Sequence, residues 1–288
     1  MMSSIDVFIY SYKGKLLKDV VRSIINNSSG QNIVNVSIID QHPLDRSKQF
    51  FEEFKINYKH IFWDFQKSPV YYKRKGLIHS KSEYFMSISD NVLLSKDWDM
   101  KLLDFVKDKN VIVSGAGKLA VGYKNKFYLE SSVTEDTNFS LNNFIDRSFI
   151  FASSSIFKRI DYPVYIKYNG EEELLTIDFY TQGFDIYGAP SDFCSIVGPR
   201  SMETFYVPFS LNHNYNAALQ ALQTGFNKFK DYNNKSRPLA QLEQFLDVKF
   251  KKLSMLPFST NDVEYNPENL DFNAVDARRF VARTKSIH

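Results

Sequence analysis

At 288 residues, with 43% hydrophobic and 16% aromatic side chains, the chain is long enough to bury one large core or two small ones. Its longest apolar runs, such as 33–39 and 111–113, fall far short of a membrane span, so no bilayer-crossing segment is expected. A formal charge of +3 is too small a surplus to identify a polyanionic partner by itself.

Residues 5–12 carry enough β-formers for a strand that stops at Lys13-Gly14-Lys15. Apolar positions 16, 17, 20, 21, 24 and 25 then recur at helical spacing. Turn formers at 26–30 close that helix, and the β-branched run 33–39 completes a β-α-β unit. The same alternation predicts a helix over 45–54, a strand over 58–63, a helix including 73–79 and a strand over 84–89. Further on, a helix is expected at 100–106, a strand at 110–114, polar irregular chain over 115–141, a returning strand at 149–155 and a helix at 171–182. Such alternation gives the α/β class: a mostly parallel, Rossmann-like sheet with helices on both faces and right-handed crossovers. After Pro208 two amphipathic stretches, 216–225 and 238–246, suggest a C-terminal helical portion, dividing the chain at 1–207 and 208–288.

Ligands of open α/β sheets bind at the carboxyl ends of the strands. Ser11-Tyr12, Asp40-Gln41 and Ser89-Asp90-Asn91 all end predicted strands, so they are expected to converge on one cleft. Lys73 and Arg74, beside Lys75, His79 and Lys81, add positive charge suited to phosphate, as a second basic group at 278–285 does at the C-terminus. The densest acidic constellation is Glu171-Glu172-Glu173, followed by Asp178 and Asp185. Carboxylates in a first helical turn are favoured by the helix dipole alone. The functional alternative is that one glutamate orients or deprotonates an acceptor hydroxyl while its neighbour, about 100° round the helix, supports it. Asp90 is the best-placed metal candidate: breaking a bond to a diphosphate favours a hard divalent ion such as Mn²⁺ or Mg²⁺, with Asn91 and His213 as further ligands.

Other chemistries lack their signatures. The chain has no Gly-x-Gly-x-x-Gly after its first strand, no phosphate-loop Gly-x-x-x-x-Gly-Lys, no Gly-x-Ser-x-Gly and no zinc-type Cys/His spacing. Cys194 is the only cysteine, which excludes an internal disulfide, and residues 1–7 lack the basic and long apolar stretches of a secretory leader; a cytoplasmic location is expected.

Three segments resemble a known family. Ile9-Tyr10-Ser11-Tyr12 is similar to its opening strand and turn, and the stretch from Ser68-Pro69 through Ser89-Asp90-Asn91 to Trp98-Asp99 looks like its basic helix, acidic strand end and Trp-Asp pair. Gly170-Glu171-Glu172 followed by Tyr180-Thr181-Gln182-Gly183-Phe184-Asp185 carries the most specific likeness. On these residues the chain resembles the GT-A glycosyltransferases related to the cytosolic hydroxyproline N-acetylglucosaminyltransferase that modifies a ubiquitin-ligase adaptor. The family's Asp-Ser-His metal motif is here Ser89-Asp90-Asn91, and its later histidine has no equivalent between Pro190 and Arg200. The resemblance implies a GT-A fold, a UDP-sugar donor, retention at the anomeric carbon and a macromolecular acceptor, with Glu171, Glu172 and Asp185 on the catalytic side. That acceptor is a protein hydroxyl, or a hydroxymethylated base in DNA, which the basic segments would suit. The contrasting expectation is a non-catalytic sugar- or nucleotide-binding module on an eroded transferase fold.

Overall fold

The computed structural model describes residues 2–12, 15–41, 48–61, 69–115, 118–121, 127–130, 137–142, 144–146, 148–160, 171–197 and 236–245. His213, the expected helix at 216–225, the 207/208 boundary and the basic tail lie outside them.

The first half alternates as its periodicity predicts: β1 (Ser4–Tyr12), α1 (Leu17–Asn26), β2 (Ile33–Gln41), α2 (Lys48–Glu53), β3 (Asn57–Ile61), α3 (Pro69–His79) and β4 (Tyr84–Ser89). There follow β5 (Val92–Leu94), α4 (Trp98–Val106), β6 (Val111–Ser114), β7 (Lys118–Val121), β8 (Phe127–Glu130), β9 (Ser140–Leu141), β10 (Phe149–Ser153) and α5 (Ser154–Phe157). The described chain closes with α6 (Glu171–Thr181), β11 (Asp185–Gly188), β12 (Cys194–Ile196) and α7 (Leu239–Phe245). None of the described helices is long and apolar enough to cross a membrane.

Eight strands form one sheet in the order β3-β2-β1-β4-β10-β6-β11-β9. β1, β2, β3 and β4 run parallel, as do β6 and β11, while β10 and β9 run against their neighbours. Side chains alternate across such strands, so one face gathers Ile5, Val7, Ile9, Met86, Ile88 and Phe149 against Val20, Val21 and Ile24 of α1 and Leu102 of α4. The other face gathers Phe8, Tyr10, Phe85, Ile112 and Ile150 against Val70 and Leu77 of α3 and Leu175 and Phe179 of α6. β1 is therefore buried on both sides, as a central strand of a helix-covered sheet requires. Gly76 lets α3 settle on β1: a Cβ there would come within 2.4 Å of the Phe8 ring. Gly76 thus trades helix propensity for close approach.

α4 is fastened by the Trp-Asp pair. The Trp98 indole donates to the Ile24 carbonyl at 2.9 Å, and the buried Asp99 carboxylate accepts from the Ser29 amide at 2.7 Å, the Ser29 hydroxyl at 2.7 Å and Asn32 at 2.9 Å. Burial alone would raise the Asp99 pKa, but these bonds and the Met100 amide outweigh it and hold the carboxyl below its usual 3.8.

Several elements differ from expectation. The stretch expected to be irregular contains an antiparallel β7–β8 pair and the edge strand β9. β11 and the β5–β12 ribbon have no counterpart in the sequence reading, because two- to four-residue strands leave too few positions for a period to register. The returning strand stops at Ser153, whose side chain accepts from the Ile156 amide and so starts α5.

Candidate active site

Parallel direction settles where the candidates meet. Register pairs Ser11 with Asp40 and Tyr10 with Ser89, so β1, β2 and β4 finish together, and Gly188 of β11 lies beside Ser114 at the end of β6 on the same edge. Ser11, Tyr12, Asp40, Gln41 and Ser89 therefore share one rim. Along the strands Ser11 keeps step with Ile9, and Asp40 with Ile38, on the α1 face, whereas Ser89 keeps step with Phe85 on the α3 and α6 face. Ser11 is fully buried; Asp40 is buried and its Oδ2 accepts from the Tyr58 hydroxyl at 3.3 Å.

Two helices present their N-terminal turns to this rim. α3 precedes the parallel strand β4 and α6 precedes β11, so each runs back along the sheet and starts at the edge where the strands end. The Lys73 ammonium of α3 meets the Glu171 carboxylate of α6 at 3.1 Å, with both side chains only 7% exposed. Residues 98 apart in sequence are thereby locked together at the top of the sheet. Glu172, the next position round α6, is also buried. Carboxylates at that helix start are further favoured by the α6 dipole.

Asp90 and Asn91 form the turn between β4 and β5, and each is only 3% exposed. The Val197 amide, just beyond β12, donates to the Asn91 carbonyl at 2.9 Å, which holds that turn against the later strand. Among the described residues no group of three or more His, Cys, Asp and Glu is placed to hold a metal ion.

Asp185 is not part of this rim. It begins β11, opposite Val111 at the start of β6, and so lies at the other end of the strands. There it accepts from Arg237 at 2.6 Å, while the same guanidinium donates to the Gly183 carbonyl at 3.1 Å and lies 5.0 Å from the Tyr180 ring. The Arg237 and Ser236 segment caps the C-terminus of α6, since the Arg237 amide and Ser236 hydroxyl both donate to the Thr181 carbonyl. In this position Asp185 docks the α7 segment, away from Glu171 and Glu172. The basic cluster is also divided. Lys73 is buried in its ion pair, Arg74 is half-buried, and Lys75 and His79 of α3, which leads away from the rim, and Lys81 beyond it are exposed.

Sequence reasoning missed the chain that enters β10. That strand runs antiparallel to β4, so it starts at the rim: the Ser89 amide donates to the Ser148 carbonyl at 2.8 Å. The Ser148 amide donates to Asp146 Oδ1 at 2.6 Å, the Asp146 amide donates to the Ser114 hydroxyl at 2.6 Å, and Ser114, Asp146 and Ser148 are all buried. The segment is tied to α6 as well, through the Ile145 amide and the Thr176 hydroxyl at 3.0 Å. The signal was the direction of the returning strand, which moves the residues before it to the ligand-binding edge.

The fold as a whole is similar to that of solved structures. Over 87% of this chain and 56% of the other, the structure superposes on GalNAc-T7, solved with UDP, GalNAc and Mn²⁺, with a TM-score of 0.61 at 12% identity. The fold is GT-A. Residues 1–349 of TarS from S. aureus give a TM-score of 0.58 at 13% identity, over 93% of this chain and 76% of that one. The longer TarS chain gives 0.57, with 46% of its length covered. The chain thus spans little more than half of GalNAc-T7 and less than half of the longer TarS. Residues 117–201, which contain the β10 entry, α6 and β12, match a family model described as Glycosyltransferase (GlcNAc). No curated protein matches the sequence significantly.

Proposed function

We propose that the chain transfers a sugar from a UDP-sugar to a hydroxyl group of a larger acceptor. One observation carries this reading: the buried Lys73–Glu171 pair holds the first turn of α6 at the edge where β1, β2 and β4 deliver Ser11, Asp40 and Ser89. The family match over residues 117–201 and the GT-A superpositions support it.

In this reading Ser11, Tyr12, Asp40, Gln41, Ser89 and Arg74 line the donor side. Glu171, committed to Lys73, fixes the helix, and Glu172 faces the acceptor hydroxyl, which it orients or relieves of its proton. Retention at the anomeric carbon and a protein or nucleic-acid hydroxyl as acceptor are the outcomes the resemblance favours. The exposed basic residues of α3 trail away from the rim, which favours the protein acceptor.

Among the described residues no resident metal site is built. Asp90 offers one carboxylate, and the Asn91 amide nitrogen, shut in with its oxygen, is a donor that no cation satisfies. An ion brought by the donor would rest on Asp90 and neutralise charge on the leaving diphosphate.

Thermal denaturation of the full chain with a panel of UDP-sugars, followed by product analysis, tests the proposal. A UDP-sugar at about 100 times its Kd stabilises by about 2.7 kcal/mol, a readable rise in Tm. Glu172→Ala and Asp90→Ala are expected to lower transfer or donor hydrolysis by about 10²-fold or more while the protein stays folded. Full activity in both variants rejects this site; UDP-sugar binding without transfer or hydrolysis returns the chain to the non-catalytic reading.

A further inference from the structure

The rim holds buried polar groups whose hydrogen-bonding capacity nothing described fulfils. Asn91 is 3% exposed, yet neither its side-chain oxygen nor its nitrogen has a partner; Ser148 is 1% exposed, and its hydroxyl has none. Leaving such groups unpaired costs free energy, so each needs a reason. Both belong to the same end of the sheet: the Ser148 carbonyl takes the Ser89 amide, and Asn91 follows Ser89 by two residues, at most about 7 Å of chain. Beside them the Asp146 carboxylate is fixed by the Ser148 amide, and the Asp146 backbone by Ser114. Gly115 leaves the room for this arrangement, since a Cβ there would collide with the Ser148 hydroxyl.

The chemistry of the set selects its ligand. A phosphate only accepts, and it would be repelled by Asp146; a cation needs acceptors, and it would leave the Asn91 nitrogen unmet. An alcohol both donates and accepts. An amide, a hydroxyl and a carboxylate at one end of the sheet therefore suit the several hydroxyl groups of a ring.

We propose that Asn91 and Ser148, with Asp146 beside them, are the subsite for the hydroxyl groups of the transferred sugar. The inference rests on the UDP-sugar reading above and adds which residues grip the sugar rather than the nucleotide. Both groups are covered in this structure, so the sugar reaches them only as neighbouring chain shifts.

The test compares Ser148→Ala and Asn91→Ala with wild type, as full chains, in calorimetric titrations with UDP and with UDP-GlcNAc, UDP-glucose and UDP-galactose, alongside the ligand-free Tm. In Ser148→Ala the UDP-sugar affinity is expected to fall about tenfold, the worth of one hydrogen bond, while UDP affinity stays within about twofold. Its ligand-free Tm is expected to hold or rise, because an unpaired buried hydroxyl has been removed. Asn91→Ala is expected to show the same split between sugar and nucleotide. Unchanged UDP-sugar affinity, an equal loss for UDP, or a drop of several degrees in the ligand-free Tm, as a hydroxyl satisfied by buried water would give, overturns the subsite alone. Failure of wild type to bind any of the UDP-sugars overturns the subsite together with the transferase reading.

Discussion

Replacing Glu171 by leucine takes the carboxylate away from the Lys73 ammonium in a site where the lysine side chain is 7% exposed. At the observed 3.1 Å the gross attraction is on the order of 5 kcal/mol at an effective dielectric of 20, most of it spent on desolvating both charges. What remains as a net contribution is small; what matters is the penalty for breaking the pair from one side, about 3–5 kcal/mol. For a chain of this size that lowers Tm by roughly 6–20 °C. Lys73→Met should cost less than Glu171→Leu, because the α6 dipole still compensates the remaining carboxylate, whereas a lone ammonium at that helix start is opposed by it. The double variant Lys73→Met/Glu171→Leu should recover most of the loss, and the cycle should give a coupling of about 2 kcal/mol or more. Urea denaturation of the four proteins measures this. Single variants within about 0.5 kcal/mol of wild type, or additive effects in the double variant, would refute the claim that this pair locks α6 to α3.

Three further outcomes are expected. Asp99→Asn should destabilise by about 2 kcal/mol at neutral pH, since it breaks bonds to a buried charge. The folded Asp99 pKa lies below its usual 3.8, so its contribution is fully present above that value and is lost as pH falls through the folded pKa. Acid unfolding of the variant should accordingly show a shallower loss below about pH 4 than wild type, and an unchanged profile would count against it. Arg237→Ala should cost about 1 kcal/mol in urea, because its pair with Asp185 is partly open to water, while Asp185→Asn should leave transfer rates at the wild-type level; a large loss of kcat there would restore a catalytic Asp185. Mn²⁺ alone should not raise Tm, whereas Mn²⁺ with UDP should raise it beyond UDP alone, by an increment that Asp90→Ala removes; stabilisation by Mn²⁺ alone would mean a resident site completed by residues such as His213.

The first half of the fold was readable because its elements are long enough for periodicity to show. α1 places Leu17, Val20, Val21 and Ile24 on one buried stripe, and β1 fills both core faces with alternating apolar residues. The rim was readable for the same reason: once β1, β2 and β4 are parallel, their polar ends must coincide. The second half hides its information in direction rather than pattern. Nothing in Asp185-Ile186-Tyr187-Gly188 says that the strand begins at the far edge, and nothing in Asp146-Arg147-Ser148 says that the next strand runs backwards, yet these two facts put Asp185 at one end of the strands and Asp146 at the other.

Resemblance and geometry also divide the motifs differently. Trp98-Asp99 and Gly183-Phe184-Asp185 look functional as motifs, and in the structure the first pins α4 to α1 and the second receives Arg237. The basic run at 73–81 shows the same effect in charge: close in sequence, it is split by helical rotation and burial into one ammonium paired with a glutamate, the half-buried Arg74 and three exposed side chains farther along the chain. Net positive charge at this edge therefore cannot be read from composition here. Among the described residues, the buried ammonium at that edge is paired with the first turn of α6, so the charge that composition counts as surplus is in part internal to the fold.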